Sequence, residues 1–205
     1  MLGPLLSLLA VGVYGILHSA LATPAAKRLA RLALGSSADR YYRLAYNLIA
    51  AVTFVPVLAV VGLVPGIIIY RMPTPWWILA VAGQLGALVL LAAGLLETDV
   101  WHFLGLRQLS ASRPGMHSPL IVTGLYRWVR HPLYAAGLVV LWLSPIVTAS
   151  SLALNSALTI YILIAYHFEE RRLSAEFGPA YEDYRRRVPA LIPLPGRGRG
   201  SPRNV

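Results

Sequence analysis

The chain has 205 residues, of which 57% are hydrophobic and 13% are charged, and its formal net charge is +10. Soluble domains carry about 25% charged residues, so this composition excludes an ordinary soluble domain and indicates a small polytopic membrane protein. The absence of cysteine excludes disulfides, thiolate nucleophiles and cysteine-bound metals. The basic residues flank apolar runs, which favours membrane lipids over nucleic acid as their partner.

Five apolar runs are predicted to span the membrane as helices, each needing about 20 residues for a ~30 Å hydrocarbon core. The first run, residues 2–21, ends like a signal-peptidase site but lacks a basic region before it, so we interpret it as a retained anchor. The segment Ala25 to Leu34 carries Lys27, Arg28 and Arg31 and is predicted to be a short interfacial helix. The further predicted spans are residues 43–64, 76–96, 132–146 and 151–168, with a short turn at 65–75 and the last two spans forming a tilted helical hairpin.

The polar segments define the rest of the predicted fold. Residues 97–131 contain too many apolar anchors for a solvated linker. Beyond Glu169 the chain is charged, and an amphipathic helix is predicted with Tyr181, Tyr184, Arg185 and Val188 on one face. We therefore predict an all-α polytopic membrane protein of about five transmembrane helices with a C-terminal cytoplasmic amphipathic helix. Residues 1–192 form one domain in this prediction, and residues 193–205 form a disordered basic tail.

The distribution of basic residues predicts the topology. Residues 22–43 hold five lysines and arginines, residues 97–132 hold four, and residues 169–205 hold eight. With five spans and an N-terminus outside, all three segments lie in the cytoplasm, as the positive-inside rule requires. All eight acidic residues fall on the same side. The prediction is an integral protein of the bacterial inner membrane with its charged chemistry at the cytoplasmic face.

The stretch TGLYRWVRHPLY, residues 123–134, is the strongest candidate for a functional site, and we call it the elbow. Charges at the mouth of a membrane span are costly and are usually functional. Thr123 and Gly124 indicate a turn, and about one helical turn follows from Tyr126. Pro132 keeps His131 out of the helical region and suits the first position of a new helix. The N–H groups of that helix could bind an anionic group such as a carboxylate.

The elbow is part of a larger pattern that resembles a known family. It is followed by an apolar hairpin, then Glu169-Glu170, then FGPAYEDYRRRVP at residues 177–189. This order resembles the membrane methyltransferases that include isoprenylcysteine carboxyl methyltransferase and the phospholipid N-methyltransferases. His18-Ser19, RLAYN at residues 43–47 and the run around GLRQ resemble the NnrU and methanethiol S-methyltransferase branch.

The resemblance implies S-adenosylmethionine as the methyl donor, held between the elbow and the C-terminal helix. Arg130 and the helix that begins at Pro132 could take its carboxylate. A glutamate could accept from its ammonium or ribose, and tyrosine rings could face its sulfonium or adenine. The predicted cofactor-binding residues are Gly124, Tyr126, Arg130, His131, Pro132, Tyr134, Glu169, Glu170, Tyr181 and Tyr184.

The acceptor is predicted to be small or lipophilic, with a thiol as the first choice. A thiol reacts as its thiolate, and with a free pKa near about 8.5 it needs a base or a cationic environment. His18 with Tyr14 one turn earlier in the first span is the candidate base, Asp99 and His102 are competitors, and Arg130 completes the predicted catalytic set. Carboxyl O-methylation of isoprenylcysteine and N-methylation of a phospholipid are the alternatives within the enzyme class.

Other classes of protein remain open from the sequence. A transporter would place polar residues through several spans, whereas these spans offer little besides His18, Asn47, Gln84 and Asn155. A non-catalytic accessory protein could share the fold, and related folds host reductases with a nicotinamide cofactor, for which Arg107 and Arg113 could bind a phosphate. Residues Arg185 to Arg187 are expected to contact lipid headgroups.

Overall fold

The computed structural model describes residues 1–110 and 119–194. Within these residues, four helices are long and apolar enough to cross a membrane: α1 (Leu2–Ala22), α3 (Ser37–Leu63), α4 (Trp76–Glu97) and α8 (Ala149–Phe177). They coincide with the first, second, third and fifth predicted spans. The all-α class is confirmed, and the chain is an integral membrane protein. Residues 195–205 of the predicted tail lie outside the described residues, and so does Arg113.

The predicted span at residues 132–146 differs from the other four. Its helix, α7 (Pro132–Trp142), has 11 residues and is therefore only about 16 Å long. Pro145 disfavours a helical conformation at Ser144, and strand β2 (Ile146–Thr148) follows directly. The sequence prediction overestimated this helix because it counted apolar residues without weighing the proline. Five membrane crossings therefore remain a prediction.

The described chain forms two compact units. The first contains residues 1–72, 99–110 and 146–158, and the second contains residues 73–98, 119–145 and 159–194. The long helix α8 therefore contributes its first ten residues to the first unit and the remainder to the second. The sequence predicted a single domain over residues 1–192, and this stays a prediction.

In the first unit, α1 lies against α3, and α2 (Pro24–Leu34) connects them. The buried positions of α1 recur every four residues at Gly3, Ser7, Val11 and Gly15, and such small side chains let helix backbones approach closely. Strand β1 (Ile68–Arg71) pairs antiparallel with β2 where the sequence indicated only turns. The predicted interfacial helix is present as α2, which has no buried residue. Two short helices, α5 (Val100–Leu104) and α6 (Arg107–Ser110), complete the unit.

In the second unit, α4 lies against α7, and Gln84 Nε2 donates to the Val140 carbonyl at 2.8 Å. Helix α9 (Pro179–Arg187) follows α8 after Gly178. A small core forms around α9 from Tyr181, Tyr184 and Val188, with Leu120, Leu173 and Phe177 packed against it. Three members of the predicted face of this helix are thus buried, while the Arg185 side chain is half exposed.

Candidate active site

The elbow has the turn and the helix start that its sequence indicates, but its short helical turn begins at Gly124 rather than at Tyr126. Thr123 is extended, Gly124 has φ +57°, and a short 3-10 helix covers Gly124–Arg127. His131 has φ −125° and ψ 66°, outside the helical region, and Pro132 is at the first turn of α7. The ring of Pro132 restricts the residue before it, so the turn directly before α7 is encoded locally.

Glu97, at the end of α4, holds the elbow in place. Its carboxylate accepts the N–H of Leu125 at 2.8 and 3.1 Å. The same carboxylate fills the space that a Cβ on Gly124 would need. The absence of a side chain at Gly124 therefore makes room for Glu97, and its predicted approach to the cofactor stays a prediction. Sequence reasoning did not select Glu97, which lies 28 residues from its partner.

We expect Gly124→Ala to destabilise the protein by about 1–3 kcal/mol, because alanine is strained at positive φ and its methyl group collides with the Glu97 carboxylate. Thermal unfolding in detergent measures the loss. Gly137→Ala is the matched control, since Gly137 is helical and a Cβ there meets nothing within 4 Å. Equal melting temperatures for the two variants would contradict this role of Gly124.

A buried network around the Glu170 carboxylate is the centre of the site. Arg130 donates from Nε to Oε1 at 3.0 Å and from Nη2 to Oε2 at 2.9 Å. His131 Nε2 lies 2.7 Å and the Tyr181 hydroxyl 2.6 Å from Oε1. Because an ionised carboxylate can only accept, both groups donate to it. All four residues are at most 9% exposed, and we call them the Glu170 network.

The backbone after α9 binds to the elbow through the same arginine. Arg130 Nη1 donates to the carbonyls of Val188 and, at 3.2 Å, Arg185. The backbone N–H groups of Arg130 and His131 donate to the carbonyls of Pro189 (2.9 Å) and Ala190 (3.0 Å). Residues 179–190, which we call the C-terminal segment, are therefore bound to the elbow by hydrogen bonds of both backbone and side chain.

Three tyrosines of the site act as neutral hydrogen-bonding groups. Burial, and then the hydrogen bond to Glu170, raises the pKa of Tyr181, and burial raises the pKa of Tyr184. The Tyr184 hydroxyl donates to the carbonyl of Tyr126 at 2.6 Å, which joins α9 to the 3-10 helix. Burial, then the Glu169 and Glu97 carboxylates, raises the pKa of Tyr126 to about 12. At neutral pH all three phenols keep their protons.

Aromatic rings surround His131. Tyr134 stacks on its imidazole with ring centroids 5.6 Å apart, and Tyr166 packs edge-on at 5.1 Å. Glu169 lies farther from this histidine, with its Oε2 at 3.7 Å from Nδ1 and a side chain that is 31% exposed. Of the two adjacent glutamates, Glu170 is therefore the one committed to the buried network. Tyr166 was not among the predicted residues.

A polar cavity of about 390 Å³ adjoins the network. It contains both signs of charge, and inside it Ser174 donates to Glu182 at 2.7 Å while Arg185 pairs with Glu182 at 3.5 Å. An apolar groove of about 530 Å³ runs along the same helix and shares Tyr166 and His167 with the cavity. The cavity is lined by Tyr166, His167, Glu170, Arg171, Ser174, Glu182 and Arg185, and the groove also by Ile160, Leu163, Ile164 and Phe168.

The second unit thus brings together most of the predicted cofactor residues. Arg130 was predicted to bind a carboxylate of the cofactor, which stays a prediction, and its guanidinium binds Glu170 and two backbone carbonyls. It orders the residues around the cavity rather than lining it. The residues gathered around the Glu170 network are Tyr126, Arg130, His131, Pro132, Tyr134, Glu169, Glu170, Tyr181 and Tyr184.

The predicted base belongs to the first unit. His18 Nε2 lies 2.6 Å from the Tyr46 hydroxyl, and Tyr14 stacks on the His18 ring at 5.4 Å. Tyr46 was missed as a partner, although it lies in the RLAYN run that carried part of the family resemblance. The competitor His102 has a pKa lowered by burial and then by Arg43, and Gln108 contacts its Nδ1 at 3.1 Å.

Comparison with known proteins gives consistent matches. Residues 109–177 match the family model of isoprenylcysteine carboxyl methyltransferase. The chain is 37% identical over 200 residues to methanethiol S-methyltransferase 2 of Bradyrhizobium diazoefficiens, covering 92% of this chain and 73% of the relative. It is 34% identical over 203 residues to methanethiol S-methyltransferase of Mycobacterium tuberculosis, covering 93% and 78%. A shorter match, 50% over 72 residues, links it to the protein of that name from Crocosphaera subtropica, covering 35% and 28%. No solved structure matches.

Proposed function

We propose that this chain methylates a thiol with S-adenosylmethionine as the methyl donor. The chain is a membrane methyltransferase and belongs to the isoprenylcysteine carboxyl methyltransferase-like family, together with the methanethiol S-methyltransferases. The observation that carries the proposal is the buried Glu170 network beside a polar cavity, most of whose lining falls within the matched residues 109–177.

The residues that line the cavity fit the chemical groups of S-adenosylmethionine. Arg171 and Arg185 offer cations for its carboxylate, and Glu182 with Ser174 offers acceptors for its ammonium or ribose hydroxyls. The ring of Tyr166 can face a sulfonium. When bound, this cofactor supplies a methyl group activated by the positive sulfur.

The Glu170 network contributes by holding α9. Arg130 binds the helix to the elbow through the Arg185 carbonyl, and Tyr181 binds it to Glu170 on α8. Glu182 and Arg185 of the same helix line the cavity. Positioning of this kind dominates catalysis of a direct displacement, in which nucleophile, methyl group and leaving sulfur must be aligned and water excluded. We propose that the predicted cofactor residues act in this way, by positioning the groups that line the cavity.

A thiol acceptor is supported by the relatives, which are named for methanethiol. Thiol methylation requires a thiolate, and we propose His18, with Tyr14 against its ring, as the group that accepts the thiol proton. The apolar groove that shares Tyr166 and His167 with the cavity supports arrival of a lipophilic acceptor from the bilayer. Equal activity on water-soluble acceptors without membrane or detergent would contradict that route.

The proposed location is the bacterial inner membrane, with the N-terminus outside and the active site at the cytoplasmic face. The three segments rich in lysine and arginine support this orientation. It gives a soluble cofactor direct access to the elbow.

The test of the proposed function is calorimetric binding of S-adenosylmethionine and S-adenosylhomocysteine to the purified protein in detergent, followed by methylation assays with thiols, prenylcysteines and phospholipids. We expect both sulfur ligands to bind and thiols to be the best acceptors. NADPH is the control ligand. Binding of NADPH alone by folded protein would contradict the proposal and indicate a reductase.

A further inference from the structure

A histidine and a tyrosine from different helices of the first unit form a close pair. His18 on α1 and Tyr46 on α3 lie 28 residues apart in sequence, with Nε2 and the phenol oxygen 2.6 Å apart and ring centroids at 4.8 Å. Helix α1 contains no charged residue, and His18 is its only histidine. An ionisable pair within apolar helices is a candidate functional site.

Further aromatic rings hold the pair in a defined orientation. Tyr14 precedes His18 by one helical turn and stacks on its ring with an interplanar angle of 18°. Phe54, two turns beyond Tyr46 on α3, packs against Tyr14 with centroids 5.1 Å apart. Tyr42, one turn before Tyr46, donates to the Leu21 carbonyl at 2.6 Å and joins the same two helices. The imidazole is therefore stacked on one tyrosine and hydrogen-bonded to another.

The extent of the two kinds of family match separates this cluster from the transfer site. The family model covers residues 109–177 and stops short of both helices. Two methanethiol S-methyltransferases match over 92% and 93% of the chain, so their matches extend well beyond the residues that the family model covers. We expect chemistry specific to the thiol acceptor in the part of the chain that these two relatives match and the family model does not cover.

We propose that Tyr46 is a positioning residue for thiol activation, which orients His18 and sets its tautomer. This inference rests on the proposed function. In this role the Nε2–H of His18 donates to the Tyr46 oxygen, which places the lone pair of the neutral ring at Nδ1. The thiol S–H bond breaks with its electron pair left on sulfur, and the proton passes to Nδ1. The sulfur pair then forms the bond to the transferred methyl group, the bond from that group to the donor sulfur breaks with its electrons, and the imidazolium later releases its proton to water.

The test compares thiols of different acidity in Tyr46→Phe and His18→Gln. With an alkyl thiol, we expect kcat to fall about tenfold in Tyr46→Phe and about a hundredfold or more in His18→Gln. With an acidic aryl thiol that is already ionised, we expect less than a threefold change in either variant, because no proton need be removed. Tyr41→Phe is the matched control, since Tyr41 is half exposed on the same helix.

Two further measurements keep the outcomes distinct. Binding of S-adenosylhomocysteine should be unchanged in Tyr46→Phe and His18→Gln, and its absence from the wild-type protein would defeat the proposed function rather than this inference. Ionisation of ¹³C-labelled methanethiol can be followed through the NMR chemical shift of its methyl carbon. We expect the midpoint of this titration to lie about one pH unit higher in the variants than in the wild-type protein. Equal losses for acidic and alkyl thiols, or no loss for either, would overturn the positioning role of Tyr46.

Discussion

Replacing Glu170 by alanine is expected to abolish binding of S-adenosylhomocysteine and to lower the stability of the protein by about 3–5 kcal/mol. The substitution leaves the guanidinium of Arg130 buried without its carboxylate, and an uncompensated buried charge is costly. It also removes the acceptor of the His131 and Tyr181 hydrogen bonds. The C-terminal segment then loses its Tyr181 bond to Glu170, and the arginine that binds its carbonyls loses its own carboxylate partner. We therefore expect Glu182 and Arg185 to lose their positions at the cavity. Calorimetry and thermal unfolding in detergent measure the two effects.

Substitutions of Arg130, the partner of Glu170, and of Glu176, a control position, test this prediction further. Arg130→Ala should have a similar effect, and the double variant Arg130→Met with Glu170→Met should be less destabilised than the sum of the single changes, because it removes both charges together. Glu176→Ala, at an exposed position on the same helix, should retain binding. A Glu170→Ala protein that binds the ligand as well as Glu176→Ala does would contradict the organising role of the network.

The parts of this site that were predictable from sequence are those encoded by local rules. Pro132 both restricts His131 and begins a helix, so the elbow was visible in a few adjacent residues. The spacing of Tyr181, Tyr184 and Val188 placed them on one helical face, and the structure buries all three. Runs of about 20 apolar residues predicted the four long helices.

The contacts that sequence reasoning missed join residues far apart in the chain. Glu97 meets Leu125 and His18 meets Tyr46 across 28 residues, and Arg130 reaches the Val188 carbonyl across 58. No periodicity records such pairs, because each depends on which helices pack together. A backbone acceptor such as the Val188 carbonyl leaves no trace in residue identity at all. The sequence predicted Arg130 as a cofactor ligand but gave no sign of its partners within the protein, and the cofactor role stays a prediction.

The same contacts explain why a charged arginine is tolerated in a buried position. The guanidinium has five N–H donors and makes four hydrogen bonds, to two carboxylate oxygens and two carbonyls, so little of its hydrogen-bonding capacity is lost on burial. A lysine at position 130 has three donors and cannot form the two parallel bonds to Glu170. The bidentate geometry thus favours arginine specifically, and it couples the elbow to the helix that supplies Glu170.

Ending the chain after Phe177 is expected to abolish binding of S-adenosylhomocysteine and methyl transfer. This truncation removes α9 and the carbonyls of Pro189 and Ala190, and it exposes the charges of Arg130 and Glu170 to water. It also removes Glu182 and Arg185 from the cavity, so one of the two acceptors and one of the two cations proposed for the cofactor are lost. Because α1, α3 and α4 do not depend on these residues for their own hydrogen bonds, we expect the shortened protein to remain in the membrane fraction.

The matched control for this truncation is a chain that ends after Leu194, which keeps every residue of the C-terminal segment and its hydrogen bonds. We expect it to bind S-adenosylhomocysteine with an affinity within threefold of the full chain. If the chain that ends after Phe177 bound the ligand equally well, the site would have to be built without α9, and the Glu170 network would have no role in holding the cofactor. If binding were lost in both truncated chains, residues 195–205 would carry an essential contact of their own.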